Sequence, residues 1–179
     1  MHPSLLDSGS VRLRTAFLCE SLALHEHLAT SVVWDTRIRA RKSASFGLPY
    51  NYSGLEWPAA PFPNAVVPLL DQVRAETGFA PNNCLANFYP DGKSSMGFHS
   101  DSTAELEPGT GIAVVSLGAE RTITFRRIDD KTVSESYQLL SGSLLWMCLE
   151  MQTEWRHAIL TDTGAIGGRI SLTFRRMKS

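Results

Sequence analysis

Polar and apolar residues alternate most regularly near the C-terminal end of the chain, in Arg169-Ile170-Ser171-Leu172-Thr173-Phe174-Arg175. A period of two is that of a strand, so positions 169, 171, 173 and 175 share one face while Ile170, Leu172 and Phe174 take the core face. Leu85-Ala86-Asn87-Phe88-Tyr89 repeats the pattern and brings Asn87 and Tyr89 to one face. Further strands are expected at 112–117, 121–125, 143–149 and 168–174. Two segments read as helices. Residues 15 to about 29 carry apolar positions at Phe17, Leu18, Leu22 and Leu28, and a second helix starts at Pro68, a favoured first position, and stops at Gly78, a favoured C-terminal residue. Successive strands without intervening helices predict an antiparallel sandwich or jelly-roll, mainly β with flanking α, rather than a parallel α/β sheet.

Composition adds the size and setting. With 179 residues and 43% hydrophobic content, the chain is long enough for one domain spanning 1–179 with a substantial core. It shows no linker, repeat or low-complexity tract. No apolar stretch approaches the roughly 20 residues that span a membrane, and no basic region followed by an apolar run opens the chain. A cytoplasmic, monomeric protein is the expectation. Its three cysteines are odd in number, widely spaced and mostly flanked by apolar residues, which reads as buried free thiols in a reducing compartment.

Candidate chemistry concentrates in His99-Ser100-Asp101. In extended backbone, residues two apart point the same way, so His99 and Asp101 can approach one ion together. Only five histidines exist to supply a third ligand, and His157, after Trp155 in a strand-like segment, is the best placed. His25 and His27 lie on different faces of their helix and make poor co-ligands. Two imidazoles and one carboxylate leave positions open, as suits ferrous iron with a chelating co-substrate and dioxygen. An isolated His-x-Asp would be better read as a surface hydrogen-bonded pair, with His157 a satisfied core histidine. The strand faces carrying Asn87, Tyr89, Arg169 and Arg175 change that balance. A guanidinium and a phenol can hold one carboxylate of a diacid while an amide and the second guanidinium attend the other end. Upstream, Arg37, Arg39 and Arg41 fall on one face of a predicted strand, a basic stripe in a chain of net charge −1. Phosphate contact and the charged protection of an edge strand explain that stripe equally well.

The strings Asn87-Phe88-Tyr89, Met96-Gly97-Phe98-His99-Ser100-Asp101, Ser116-Leu117-Gly118-Ala119, Gly142-Ser143-Leu144-Leu145, Trp155-Arg156-His157 and Gly168-Arg169-Ile170-Ser171-Leu172-Thr173-Phe174-Arg175, in this order and spacing, resemble the AlkB family of iron and 2-oxoglutarate dioxygenases. The resemblance runs from about 37 to about 176. It implies a double-stranded β-helix at about 80–176, with supporting helices and an N-terminal helix and nucleotide-recognition lid within about 1–60. It also implies Fe(II) at His99, Asp101 and His157, and 2-oxoglutarate held by Asn87, Tyr89, Arg169, Ser171 and Arg175, with O2 as the second co-substrate. The stretch Phe46-Gly47-Leu48-Pro49-Tyr50-Asn51-Tyr52-Ser53 is similar to the family's lid. That similarity makes Tyr52 the ring that stacks on an extruded base, with Tyr50 supporting it and the stripe at 37, 39 and 41 meeting phosphates.

The activity so implied is oxidative demethylation of N-alkylated bases in DNA or RNA. 2-Oxoglutarate is converted to succinate and CO2, an N-methyl group is hydroxylated, and the hemiaminal collapses to formaldehyde. Three departures bear on substrate. Ser102 and Thr103 stand where relatives that demethylate cationic bases carry another acid, with Glu105 or Glu107 in the following loop as substitutes. The segment between Leu28 and Arg37 is short for the finger loop of duplex-acting relatives, which favours single strands. Ser171 replaces a common asparagine. A hydroxylase of a protein side chain or small metabolite is the alternative, and a binding module without catalysis the third reading.

Overall fold

A computed structural model describes residues 4–52 and 54–178, with the side chains of Asn51 and Tyr52 outside the description. Among the described residues twelve strands and two α-helices follow one another as β1 Val11–Arg14, α1 Ser21–Ser31, β2 Lys42–Gly47, β3 Tyr50–Tyr52, β4 Leu55–Trp57, α2 Val67–Thr77, β5 Asn83–Tyr89, β6 Met96–His99, β7 Gly111–Gly118, β8 Arg121–Arg127, β9 Ser134–Leu139, β10 Leu144–Cys148, β11 Trp155–Ile159 and β12 Arg169–Arg175, with a 3-10 turn at Glu150–Thr153 between β10 and β11. A large sheet runs in the order β1-β10-β7-β12-β5-β2, a smaller one in the order β6-β11-β8-β9, and β3 and β4 form a separate hairpin. Every pairing is antiparallel. The expected jelly-roll is therefore present, and each of the strands predicted at 112–117, 121–125, 143–149 and 168–174 forms within two residues of its expected ends.

Two apolar cores flank the large sheet. Between the sheets lie Leu85, Val114, Leu145 and Met147 from the large one and Ile123, Phe125, Trp155 and Ile159 from the small one. On the outer side of the large sheet, Leu28 of α1 and Leu69 and Val73 of α2 cover Val115, Leu117, Ile170, Leu172 and Phe174. Each such aliphatic or aromatic side chain contributes about 1.5–3 kcal/mol on burial, so the Ile170, Leu172 and Phe174 face of β12 is fixed by packing. The register Arg169↔Tyr89 through Arg175↔Asn83 then sets which polar side chains of β12 and β5 enter the space between the sheets.

The second helix matches its prediction, with Pro68 in the first turn and Gly78 at φ 84° closing the C-terminus. The first starts later than its apolar pattern suggests. Phe17 and Leu18 both donate backbone N–H to the Gly142 carbonyl at 2.9 Å, which holds the chain out of the helix until Ser21. Gly142 itself has φ 80°, and a Cβ there would sit 2.3 Å from the Leu18 carbonyl oxygen, so this crossing needs glycine on both counts.

The segment 37–41 is a correction. Residues 37–41 form bends and turns, and β2 begins only at Lys42. Asp35 is the cause: its carboxylate accepts the Arg37 backbone N–H at 2.9 Å and Arg37 Nε at 2.7 Å, while its backbone exchanges hydrogen bonds with Ser43. This closes a tight loop in place of an extended strand. Arg37, Arg39 and Arg41 consequently share no face. Arg37 is paired with Asp35, Arg39 is exposed, and Arg41 is buried. Among the described residues no helix is long and apolar enough to cross a membrane.

Candidate active site

His99 ends β6 and is the direct cross-strand partner of His157 in β11, with the two rings 4.3 Å apart. Ser100 Oγ donates to the Trp155 carbonyl at 2.9 Å, which stitches the strands together one residue beyond. Asp101 follows on the same face as His99, its backbone N–H held by Gln152 Oε1 at 3.0 Å. One ligand atom from each of His99, Asp101 and His157 lies within 4.8 Å of the others. The three residues chosen from spacing thus converge.

Their protonation suits a cation. His99 Nδ1 lies 2.9 Å from the Gly97 carbonyl oxygen, which turns Nε2 toward Asp101 Oδ1, 3.5 Å away. Burial pushes the His157 pKa down to about 4, against the opposing pull of Asp101, so the imidazole is neutral at physiological pH. For Asp101, burial alone would raise the pKa. The Arg175 guanidinium and the His99 hydrogen bond outweigh it, and the carboxyl is held far below its ordinary value. Arg175 Nη2 donates to Asp101 Oδ2 at 2.8 Å, which leaves Oδ1 on the side of the histidines.

The same cavity is lined by Asn87, Tyr89, Arg169, Ser171 and Arg175, together with Leu85, Met96, Val114, Ile123, Leu139, Met147 and Ile159. All eight metal and co-substrate candidates therefore face one space with apolar walls. Arg169 is 1% exposed, donates Nη2 to Ser116 Oγ at 2.8 Å and lies 5.3 Å from the Tyr89 ring centroid. Burial lowers its pKa, yet an arginine stays charged from so high a starting value. Nε and Nη1 of both Arg169 and Arg175 are buried without a hydrogen-bond partner among the described residues. Each unmet donor costs about 1–3 kcal/mol, and an anion in the cavity would satisfy them. Iron and a dianionic co-substrate thus fit the groups this chain presents.

Several contributors carry no local sequence signal. Arg41 Nε donates to Asn87 Oδ1 at 2.9 Å and Ser43 Oγ to the same oxygen at 3.0 Å, which fixes the amide with its NH2 as the remaining donor end. Gln152 and Ser116 likewise reach the site from distant segments. Tyr50, expected at a lid, is 3% exposed, and the Arg175 guanidinium lies 4.7 Å from its ring centroid. Tyr52 lies in β3, but its side chain is outside the described residues.

A two-histidine, one-carboxylate cluster at the edge of a jelly-roll, facing buried arginines with unmet N–H donors, defines the class of non-haem iron oxygenases using a dicarboxylate co-substrate. Comparison with known proteins agrees. Residues 13–175 match the 2OG-Fe(II) oxygenase superfamily, and the chain belongs to that superfamily, within its AlkB family. It is 36% identical over 147 residues to the Homo sapiens protein named DNA oxidative demethylase ALKBH2, covering 76% of this chain and 56% of that one. It is 29% identical over 169 residues to the Rattus norvegicus alpha-ketoglutarate-dependent dioxygenase alkB homolog 3, covering 84% and 57%. The chain thus spans little more than half the length of these relatives. The solved structure of OsALKBH1 has the same fold, with a TM-score of 0.70 at 16% identity, covering 93% of this chain and 98% of that one.

Proposed function

We propose that the protein catalyses Fe(II)- and 2-oxoglutarate-dependent demethylation of N-alkylated bases in single-stranded DNA or RNA. The observation that carries the oxidative part is the convergence, in one cavity, of the His99-Asp101-His157 cluster with two buried guanidiniums whose N–H groups are unmet. Relatives named as DNA oxidative demethylases support a nucleic-acid substrate.

In this reading His99, Asp101 and His157 hold the iron. Arg169 and Tyr89 take the distal carboxylate of 2-oxoglutarate, while Arg175, Asn87 and Ser171 attend the end nearer the metal. When bound, the iron with 2-oxoglutarate and O2 supplies oxidation of a substrate C–H bond, and succinate and CO2 are released. The chain's own contribution is positional. Arg175 anchors Asp101, Asn87 is oriented by Arg41 and Ser43, and the apolar wall excludes water. Oxidation of an N-methyl group gives a hemiaminal, which loses formaldehyde without a dedicated protein acid or base. Tyr52 is the ring offered to the base, with Tyr50 as a further lid contact, and the exposed Arg37 and Arg39 are the guanidiniums offered to phosphates. Arg41 acts instead through Asn87. Of the three free cysteines expected to be buried, Cys84 is, Cys148 is half-buried and Cys19 is exposed; free thiols and a ferrous site both suit a reducing, cytoplasmic setting.

One observation favours a second reading. Among the described residues Asp101 is the single carboxylate lining the cavity, so no second acid is there to prefer a cationic base. A protein side chain or small metabolite is the substrate class this would suit. Formaldehyde release from single-stranded oligonucleotides carrying 1-methyladenine, 3-methylcytosine or N6-methyladenine, with His99→Ala as control, separates the two. Release lost in the control supports demethylation of nucleic acid. No release, with iron and 2-oxoglutarate still bound, supports the second reading.

A further inference from the structure

A third buried guanidinium, Arg121, does not line this cavity but approaches the ring of Tyr89, which does. Arg121 opens β8, is 1% exposed, and is among the largest fully buried side chains of the protein. Nη1 donates to the Asp91 carbonyl at 3.3 Å, and Nη2 to the Ser94 carbonyl at 2.9 Å and to the Leu160 carbonyl. These acceptors belong to the loop leading into β6 and the loop leading into β12, which are also joined by the Asp162 N–H bonded to the Gly92 carbonyl at 2.7 Å. The Arg121 guanidinium lies 5.7 Å from the Tyr89 ring centroid, the same ring that Arg169 approaches.

Among the described residues neither Arg121 nor Arg169 forms an ion pair with a carboxylate. The Asp91 carboxylate, close in sequence to Arg121's acceptors, is engaged in its own turn with Lys93 and Ser94. Backbone carbonyls solvate a guanidinium but cannot cancel its charge. Arg121's charge also disfavours protonation of Arg169, after the larger effect of burial. Negative charge entering beside two buried like charges at one tyrosine ring stabilises both.

We propose that Arg121 is a positioning residue for the co-substrate. It braces Tyr89 and adds a second positive charge at the Arg169 end of the cavity, so that a 2-oxo acid with a second carboxylate is preferred over one without. This rests on the reading of the cavity as a 2-oxoglutarate site.

The test is calorimetric titration of Mn(II)-loaded protein with 2-oxoglutarate and with 2-oxovalerate, which has the same chain length but lacks the distal carboxylate. In Arg121→Met, 2-oxoglutarate binding weakens roughly tenfold while 2-oxovalerate binding changes by no more than about twofold. Arg121→Lys, which keeps the charge, restores the preference for the diacid. Equal weakening of both ligands, no change in either, or a lysine variant as indifferent as the methionine one would overturn the proposal. If Arg121→Met does not fold by circular dichroism, Arg121→Gln takes its place, keeping a carbonyl-directed donor without the charge. Failure of the parent protein to bind 2-oxoglutarate overturns the underlying reading of the cavity instead, and is seen before any variant is made.

Discussion

Replacing Arg175 with methionine should destabilise the metal-free protein far more than the metal-loaded one. The Arg175 and Asp101 side chains are only 2% and 3% exposed, and their contact is a 2.8 Å charge-assisted hydrogen bond. Removing one partner of such a pair leaves a buried carboxylate uncompensated, a loss of about 3–5 kcal/mol. For a chain of this size that corresponds to a fall in Tm of roughly 6–20 °C. A divalent ion between His99, Asp101 and His157 puts positive charge back beside the same carboxylate. The loss in the presence of saturating Mn(II) should therefore shrink to about 1–2 kcal/mol, the part owed to packing on Tyr50 and to lost hydrogen bonding. Urea denaturation of parent and Arg175→Met, each with EDTA and with Mn(II), measures both numbers. Equal losses under the two conditions would refute the placement of the cation at Asp101.

Other consequences are as direct. Gln152→Ala frees the Asp101 backbone N–H and should weaken metal binding about 10- to 100-fold, measured by competition with a chelating dye, with little change in fold. In the metal-free protein, buried His157 stays neutral down to about pH 4 while the unfolded imidazole takes up a proton near 6.5, so the unfolded state binds more protons in between. Stability is then complete above about pH 6.5 and falls by up to about 3 kcal/mol as pH drops toward 4, and unchanged urea midpoints across that window would contradict it. Gly142→Ala meets both a left-handed backbone and the Leu18 carbonyl, and should lower stability by more than about 2 kcal/mol in the same denaturation assay.

The parts legible in the sequence are those decided by local period. Alternation in Arg169–Arg175 fixed which side chains meet the cavity, because both faces of β12 are buried and a slip of one residue would exchange them. His99 and Asp101 were readable for the same reason. The inward turn of Arg41 was not, because it depends on Asp35 closing a loop and on Asn87 receiving the guanidinium from 46 positions away. The late start of α1 escaped as well, since the Gly142 carbonyl competes for the amides of Phe17 and Leu18 only once the chain has folded. Arg121 was legible only in part. Its position in an alternating strand marks it as inward-facing, but its meaning comes from three carbonyls on two loops.

The measurement that bears most directly on the account is the intact mass of a single-stranded oligonucleotide carrying one 1-methyladenine or 3-methylcytosine, before and after incubation with Fe(II), 2-oxoglutarate and O2. Demethylation predicts that the oligonucleotide loses the mass of one CH2 and that formaldehyde and succinate form in proportion, all abolished by His157→Ala. Succinate formed at the same rate with and without the oligonucleotide, and no change in its mass, would contradict a nucleic-acid demethylase.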